Sequence, residues 1–226
     1  MKTGKKHTGF AIAIAWPETL CKQAGAWYEG LMTFAGFNVD GYYKVGHAAI
    51  VLIDGSDLTC QYFDFGRYHA PFGSGRVRNA NTDHDLKMST KAILSKDGLS
   101  IDNLQEILTE LSVNPSTHGT GTIYGNTTRI NVEKAHVLAM EMQEKEFIEY
   151  GPFLRSGTNC SRFVNSVLIG GKPSWFQRLK LIFPLTVSPT PMWNLKAIGE
   201  KIYRIGSSNP TKEIELEITS TKIEAA

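Results

Sequence analysis

Residues 46–66 read GHAAIVLIDGSDLTCQYFDFG, two stretches rich in β-branched and aromatic side chains on either side of Asp54-Gly55-Ser56-Asp57. Alternating apolar runs around a Gly-containing turn spell a β-hairpin, with strands over residues 46–53 and 58–66. A turn symmetric about the Gly55–Ser56 bond pairs His47 with Asp64, Ala49 with Tyr62 and Val51 with Cys60. Paired residues share a face, so an imidazole and a carboxylate meet at the end of the hairpin away from its turn. A slip of one residue presents Phe63 or Phe65 to His47 instead, and neither can orient a ring.

Working outward, residues 10–15 (FAIAIA) form a short continuous apolar run stopped by Pro17, the pattern of a buried strand. Leu20, Ala24, Trp27, Leu31 and Phe34 then recur at helical spacing, which predicts a helix over residues 18–35 ended by Gly36. On the other side of the hairpin, residues 67–85 lack periodicity and carry Arg67, Arg76 and Arg78. A long irregular segment of this kind is more often functional than filler. Further on, the pattern predicts a strand over 86–94, a helix begun at Ser100, a Thr-rich strand over 120–128 and a long helix from Asn131. A helix with Cys160 in its first turn closes at Gly170-Gly171, and a short amphipathic helix covers 175–183. Residues 184–191 read as a proline-rich crossing, 201–205 as a last strand and 207–226 as a mobile tail. The expected fold is α+β: one domain over residues 1–206, with a central antiparallel sheet packed against helices.

Composition narrows the function classes. A chain of 226 residues can bury a sizeable core, and 42% hydrophobic with 20% charged residues excludes a disordered or fibrous chain. With 24 Lys+Arg against 22 Asp+Glu there is no electrostatic case for a nucleic-acid partner. Cys21, Cys60 and Cys160 are too few for a disulfide framework and lack zinc spacing. No His/Cys/Asp cluster has ligand spacing, so neither a metal nor another cofactor is expected. Lys2, Lys5 and Lys6 before residues 10–16 imitate a secretory signal, but Pro17-Glu18 interrupts the apolar run early and no cleavage pattern follows. No apolar run approaches the ~18–20 residues that span a bilayer. A reduced, cytoplasmic setting is the expectation.

The chemistry centres on Cys160. A helix N-terminus stabilises a thiolate through its free N–H groups and dipole, and Ser156-Gly157-Thr158-Asn159 lets a substrate approach closely. Free cysteines are also common as small buried hydrophobes, so position alone does not decide. His47 opens a strand that is otherwise apolar; His7, His69, His84 and His118 fall in ends or loops and His136 on a helix. Asp64, facing His47 across the hairpin, is placed to orient its ring, and the competing role is a partner for Arg67.

With these residues in view, the chain resembles the circularly permuted papain-like proteins of the NlpC type, which include YiiX-like proteins and relatives of lecithin retinol acyltransferase. The resemblance rests on the strand GHAAI at 46–50, the hairpin partner YFDFGRY at 62–68 and NCSRFV at 159–164, with His before Cys as in the permuted branch. More narrowly it is similar to a Bacteroides-type group with the same GHAAIVLI, FDFGRY and NCSRF strings. The resemblance implies a papain-like fold with Cys160 as nucleophile, His47 as general base and Asp64 as the residue holding the ring. Permuted relatives often carry another polar residue in the third place, so Gln61 and Tyr62 compete with Asp64. Arg67, Arg76 and Arg78, with Tyr62, are candidate substrate contacts, since guanidinium forks suit carboxylate or phosphate. The expected activity is acyl transfer by a thiolate on a small-molecule or peptide substrate. Peptide or amide bonds, of cell-wall type first, precede lipid amides or esters. The rival is a non-catalytic ligand-binding module on the same scaffold, and oligomeric state is not legible.

Overall fold

The computed structural model describes residues 7–22, 38–39, 42–43, 46–152, 154, 156–186 and 188–206. Its strands are β1 (Gly9–Trp16), β2 (Cys21–Lys22), β3 (Asn38–Val39), β4 (Tyr42–Tyr43), β5 (His47–Asp54), β6 (Cys60–Gly66), β7 (Ser74–Arg78), β8 (Ile123–Ile130), β9 (Ile148–Glu149) and β10 (Tyr203–Ile205). Its helices are α1 (Leu104–Val113), α2 (Val132–Gln143), α3 (Cys160–Gly170), α4 (Trp175–Ile182) and α5 (Pro191–Ile198). Seven strands form one antiparallel sheet in the order β10-β8-β1-β5-β6-β7-β9, and β2-β4-β3 form a small second sheet. The fold is mixed α+β.

The period-2 alternation of the central strands builds two cores. Ala11, Ala13 and Ala15 of β1, with Ala48, Ile50 and Leu52 of β5, face a layer holding α2, α3 and α5. Small alanines here let Phe163, Val164 and Val167 of α3 lie close to the sheet. Ile12, Ile14 and Trp16, with Ala49, Val51 and Ile53, face α1 through Leu104, Ile107, Leu108 and Leu111. Both faces of β1 and β5 are buried, which is why these strands are nearly continuous apolar runs.

The hairpin forms with a shifted register. Ala49 pairs with Asp64 and Val51 with Tyr62, two residues from the symmetric expectation. The connection is longer than a tight turn: the Leu58 N–H reaches the Asp54 carbonyl at 2.9 Å, and Leu58 adopts φ 61°. Because the slip is even, Asp64 keeps the face of His47.

Other expectations change for identifiable reasons. Residues 18–20 form a turn and coil and Cys21–Lys22 a strand, so no helix starts at Glu18; residues 23–37 lie outside the described residues, as does the 207–226 tail. Residues 86–94 form no strand: Leu94 makes only an isolated bridge to Ile101, and the N–H groups of Ser89 and Thr90 donate to the Glu110 carboxylate at 2.6 and 2.9 Å. The segment after the hairpin contains β7, a strand whose polar sequence SGRVR hides its pairing. Within the proline-rich crossing, Thr190 caps α5 (Trp193 N–H to Thr190 Oγ1, 3.1 Å) and Pro191 takes the first helical position.

Candidate active site

Cys160 and His47 come from opposite sides of the sheet and meet at its end. Asn159 caps α3 by accepting from the Arg162 N–H at 2.8 Å, which leaves Cys160 as the first helical residue among the free N–H groups. Gly46, at φ +72°, turns the chain into β5, and a Cβ there would sit 3.0 Å from the Trp16 carbonyl. His47 therefore begins the strand at the edge of the core, beside the N-terminus of α3. The thiol of Cys160 lies close enough to the His47 imidazole and the Ala48 N–H for each to act on its charge.

Asp64 is fully buried and holds three partners. Its Oδ2 lies 3.2 Å from His47 Nε2 and accepts from the Tyr62 hydroxyl at 3.0 Å. Arg78 binds it through both ends of the fork, Nε to Oδ1 at 2.9 Å and a terminal nitrogen to Oδ2 at 2.5 Å. With Nε2 on Asp64, the ring nitrogen left for the Cys160 sulfur is Nδ1. Trp16, paired with His47 across β1 and β5, stacks on the imidazole at 5.7 Å between centroids and 22° between planes. Tyr68 meets its edge at 6.3 Å and is itself stacked on His118 at 4.7 Å. Gly119 follows, and a Cβ there would fall 2.3 Å from the Trp16 ring, so only glycine allows the chain to cross this indole.

The electrostatics follow from these contacts. Burial alone opposes charge on His47, but its hydrogen bonds to Asp64 and Cys160 and their charges outweigh that and raise it to about 9. Burial likewise opposes a Cys160 thiolate, and the imidazolium, the Ala48 N–H and the Ser161 hydroxyl overcome it, holding the thiol below its ordinary value. Burial pushes Asp64 upward, while His47 and Arg78 pull it below the carboxylate range. Each shift runs toward the charged form, imidazolium and thiolate in one pair and carboxylate and guanidinium in the other. Cys60 shows the contrast: burial and the Glu110 charge push it up to about 11.

The sequence-predicted residues divide clearly. Cys160, His47 and Asp64 converge. Tyr62 and Arg78 join them from behind, as partners of Asp64, with Arg78 only 2% exposed and its guanidinium 3.6 Å from the Tyr68 ring centroid. Arg78 thus holds the carboxylate and is not open to a substrate anion. Arg76 grips Asp83 through two bonds of 2.8 and 2.7 Å and the Tyr68 carbonyl at 2.7 Å. Arg67 lies 5.0 Å over the Tyr150 ring. Gln61 is exposed and points to the other side of β6 from Asp64. Sequence reasoning missed Trp16, Tyr68 and His118, and the structural part played by Arg78. The cross-strand pair Asp64–Arg78 is the signal that identifies it, once 74–78 is recognised as a strand.

Among the described residues, no group of three or more His, Cys, Asp or Glu side chains is arranged to hold a metal ion. No described helix is long and apolar enough to cross a membrane. No curated protein matches the chain. A crystal structure of the type VI secretion system effector TseH is similar in fold, with a TM-score of 0.57 and 18% identity over 92% of this chain and 97% of that one. Residues 11–175, from the first strand through both sides of the site, match the family described as type VI secretion system effector TseH-like. The chain therefore belongs to the TseH-like effector family.

Proposed function

We propose that this chain is a cysteine hydrolase of the permuted papain-like kind, cleaving an amide or peptide bond through a thioester. The observation that carries the reading is the Cys160–His47–Asp64 alignment, with a thiol held low at a helix N-terminus by an imidazole raised to about 9. The Cys160 thiolate adds to the carbonyl carbon, and the Cys160 N–H donates to the developing oxyanion. Imidazolium His47 gives its proton to the departing amine as the C–N bond breaks. His47 then takes a proton from water, whose oxygen attacks the thioester and releases acid and thiolate. Asp64 keeps the ring oriented throughout. As an effector the hydrolase is made in the producing cell and acts after delivery, so cell-wall peptides are the first substrates to test and lipid amides the second.

The test is turnover of cell-wall peptides and lipid amides, followed by mass spectrometry. Cys160→Ser and His47→Ala should each abolish it, and the double variant should be no worse than either single one, as for residues acting as a unit. Full activity in Cys160→Ser refutes the mechanism. Tight binding of a panel member without turnover by the wild type assigns the scaffold to a ligand-binding module instead.

A further inference from the structure

Helix α4 and the residues after it carry an apolar face that the fold leaves uncovered. Trp175 is 60% exposed, Phe176 64%, Phe183 70% and Leu185 87%, with Leu179 and Ile182 also open among the described residues. Only Leu181, with half-buried Gln177, faces the body of the protein. At about 100° per residue, these two fix the inward direction. Trp175, Phe176, Leu179, Ile182 and Phe183 all then fall within about 60° of the opposite, outward direction. Arg178 and Lys180 stand about 100° to either side of it. The helix thus shows solvent an apolar ridge with one cation on each flank, the reverse of an ordinary surface helix.

The stretch of sequence that contains α4 carries charge of one sign. Between Tyr150 and Gly199 the sequence contains no Asp or Glu, whereas it carries Arg155, Arg162, Lys172, Arg178, Lys180 and Lys196. Among the described residues, no carboxylate pairs with Lys134, Lys172, Arg178 or Lys180. The positive charges of Lys134, first, and Arg178 hold the Lys172 amine below its ordinary value, a sign of cations gathered close together. A protein partner of matching shape would satisfy the ridge alone. The flanking, uncompensated cations on both sides call for a surface that is apolar in its depth and anionic at its rim.

We infer that α4 and residues 183–185 are a membrane-docking surface, which lies in the interface of an anionic bilayer. Trp175, Leu179, Ile182 and Phe183 enter the acyl boundary, while Arg178 and Lys180 run their apolar stems along it and place their charges among the phosphates. The surface is rigidly tied to the thiol-bearing helix. The Leu181 carbonyl accepts from Asn165 Nδ2 at 3.2 Å, and the same Asn165 side chain bonds Asn194, which holds the Ser161 carbonyl at 2.8 Å. Docking by this face therefore fixes the position of Cys160 relative to the bilayer, though the inference stands without the catalytic reading.

The experiment is flotation of the full chain with vesicles of phosphatidylcholine, and with vesicles of phosphatidylcholine and phosphatidylglycerol in equal parts. Tryptophan emission is followed in parallel. Wild type should float with the anionic vesicles only, with a blue shift that Trp175→Phe reduces. Arg178→Gln with Lys180→Gln should weaken binding about thirtyfold, from about a factor of five for each cation near an anionic surface. Leu179→Asp with Phe183→Asp should abolish it. All these side chains are exposed, so circular dichroism and the melting temperature should match wild type. Failure of wild type to float, equal flotation with neutral vesicles, or flotation indifferent to Leu179→Asp with Phe183→Asp overturns the inference. A dimer that Leu179→Asp splits, without vesicle binding, overturns it in favour of a second copy of the chain.

Discussion

Arg78→Met is the most demanding single test of the site's architecture. The wild-type guanidinium makes two bonds to an Asp64 carboxylate that is 0% exposed, and is itself nearly buried. The substitution keeps the stem and its packing but leaves the carboxylate with His47 and Tyr62 alone. Removing one partner of a buried ion pair costs about 3–5 kcal/mol, because the remaining charge is left uncompensated. Loss of the cation 3.6 Å from the Tyr68 ring adds about 1 kcal/mol. Against a total stability of about 5–15 kcal/mol, that is a large fraction. Urea denaturation followed by circular dichroism should show the midpoint falling with an unchanged slope. Asp64→Asn removes the stranded charge, so the double variant should be no less stable than Arg78→Met, with a coupling energy of several kcal/mol. A loss below about 1 kcal/mol in Arg78→Met, as exposed pairs give, would refute the buried-pair account. Full additivity of the two substitutions would do the same.

Two further outcomes follow from the titrating groups. Iodoacetamide should modify Cys160 faster than an ordinary thiol at neutral pH, with a midpoint below the ordinary thiol value, while Cys60, pushed up to about 11, should react only in alkali. His47→Ala should move the Cys160 profile toward an ordinary thiol midpoint near ~8.5, and an unmoved profile would separate the two residues. Asp64 is held low in the folded protein, so it contributes stability above its ordinary value near ~4 that is lost as pH falls through the folded one. Wild type should therefore lose more stability between pH 5 and 3 than the double variant Asp64→Asn, Arg78→Met, and parallel acid limbs in the two proteins would contradict the carboxylate's role.

The parts of the fold that could be read from the sequence are those whose cause is local. β1 and β5 declare themselves by apolar runs, and α2 and α3 by the caps Asn131 and Asn159. The shared face of His47 and Asp64 is legible because parity survives an even slip, although the register itself depends on how Leu58 and Thr59 close the connection. What was not legible depends on distant partners. β7 is a strand because Phe65 and Asp64 receive Val77 and Arg78, and nothing within SGRVR announces it. The Trp16 ring reaches His47 only through the pairing of β1 with β5. Arg78 reads as an anion-binding side chain in an irregular segment; its burial against Asp64 appears only when β6 and β7 lie side by side.

The site also explains how a charged pair can persist in a buried place without making the protein fragile near neutral pH. His47 raised to about 9, taken alone, contributes stability that is full below pH 6.5 and lost as pH rises through about 9. Cys160 lowered from 9.0, taken alone, contributes stability present above that value and lost as pH falls through its folded one. The two shifts are largely one interaction seen from its two ends. Between the ordinary imidazole and thiol values, the unfolded chain carries imidazole and thiol, and the two shifts drive the folded chain toward imidazolium and thiolate. Both states bind the same number of protons, so folding moves a proton from sulfur to nitrogen without exchanging one with solvent. This pair then adds no slope to stability across that range. The charge separation is sustained by fixed groups on each side: N–H groups at the α3 N-terminus and Ala48 near the sulfur, and the Asp64 carboxylate, which accepts from the imidazole. Arg78 balances the carboxylate in turn. The charge on the sulfur is thus set by groups the fold supplies and not by exchange with solvent.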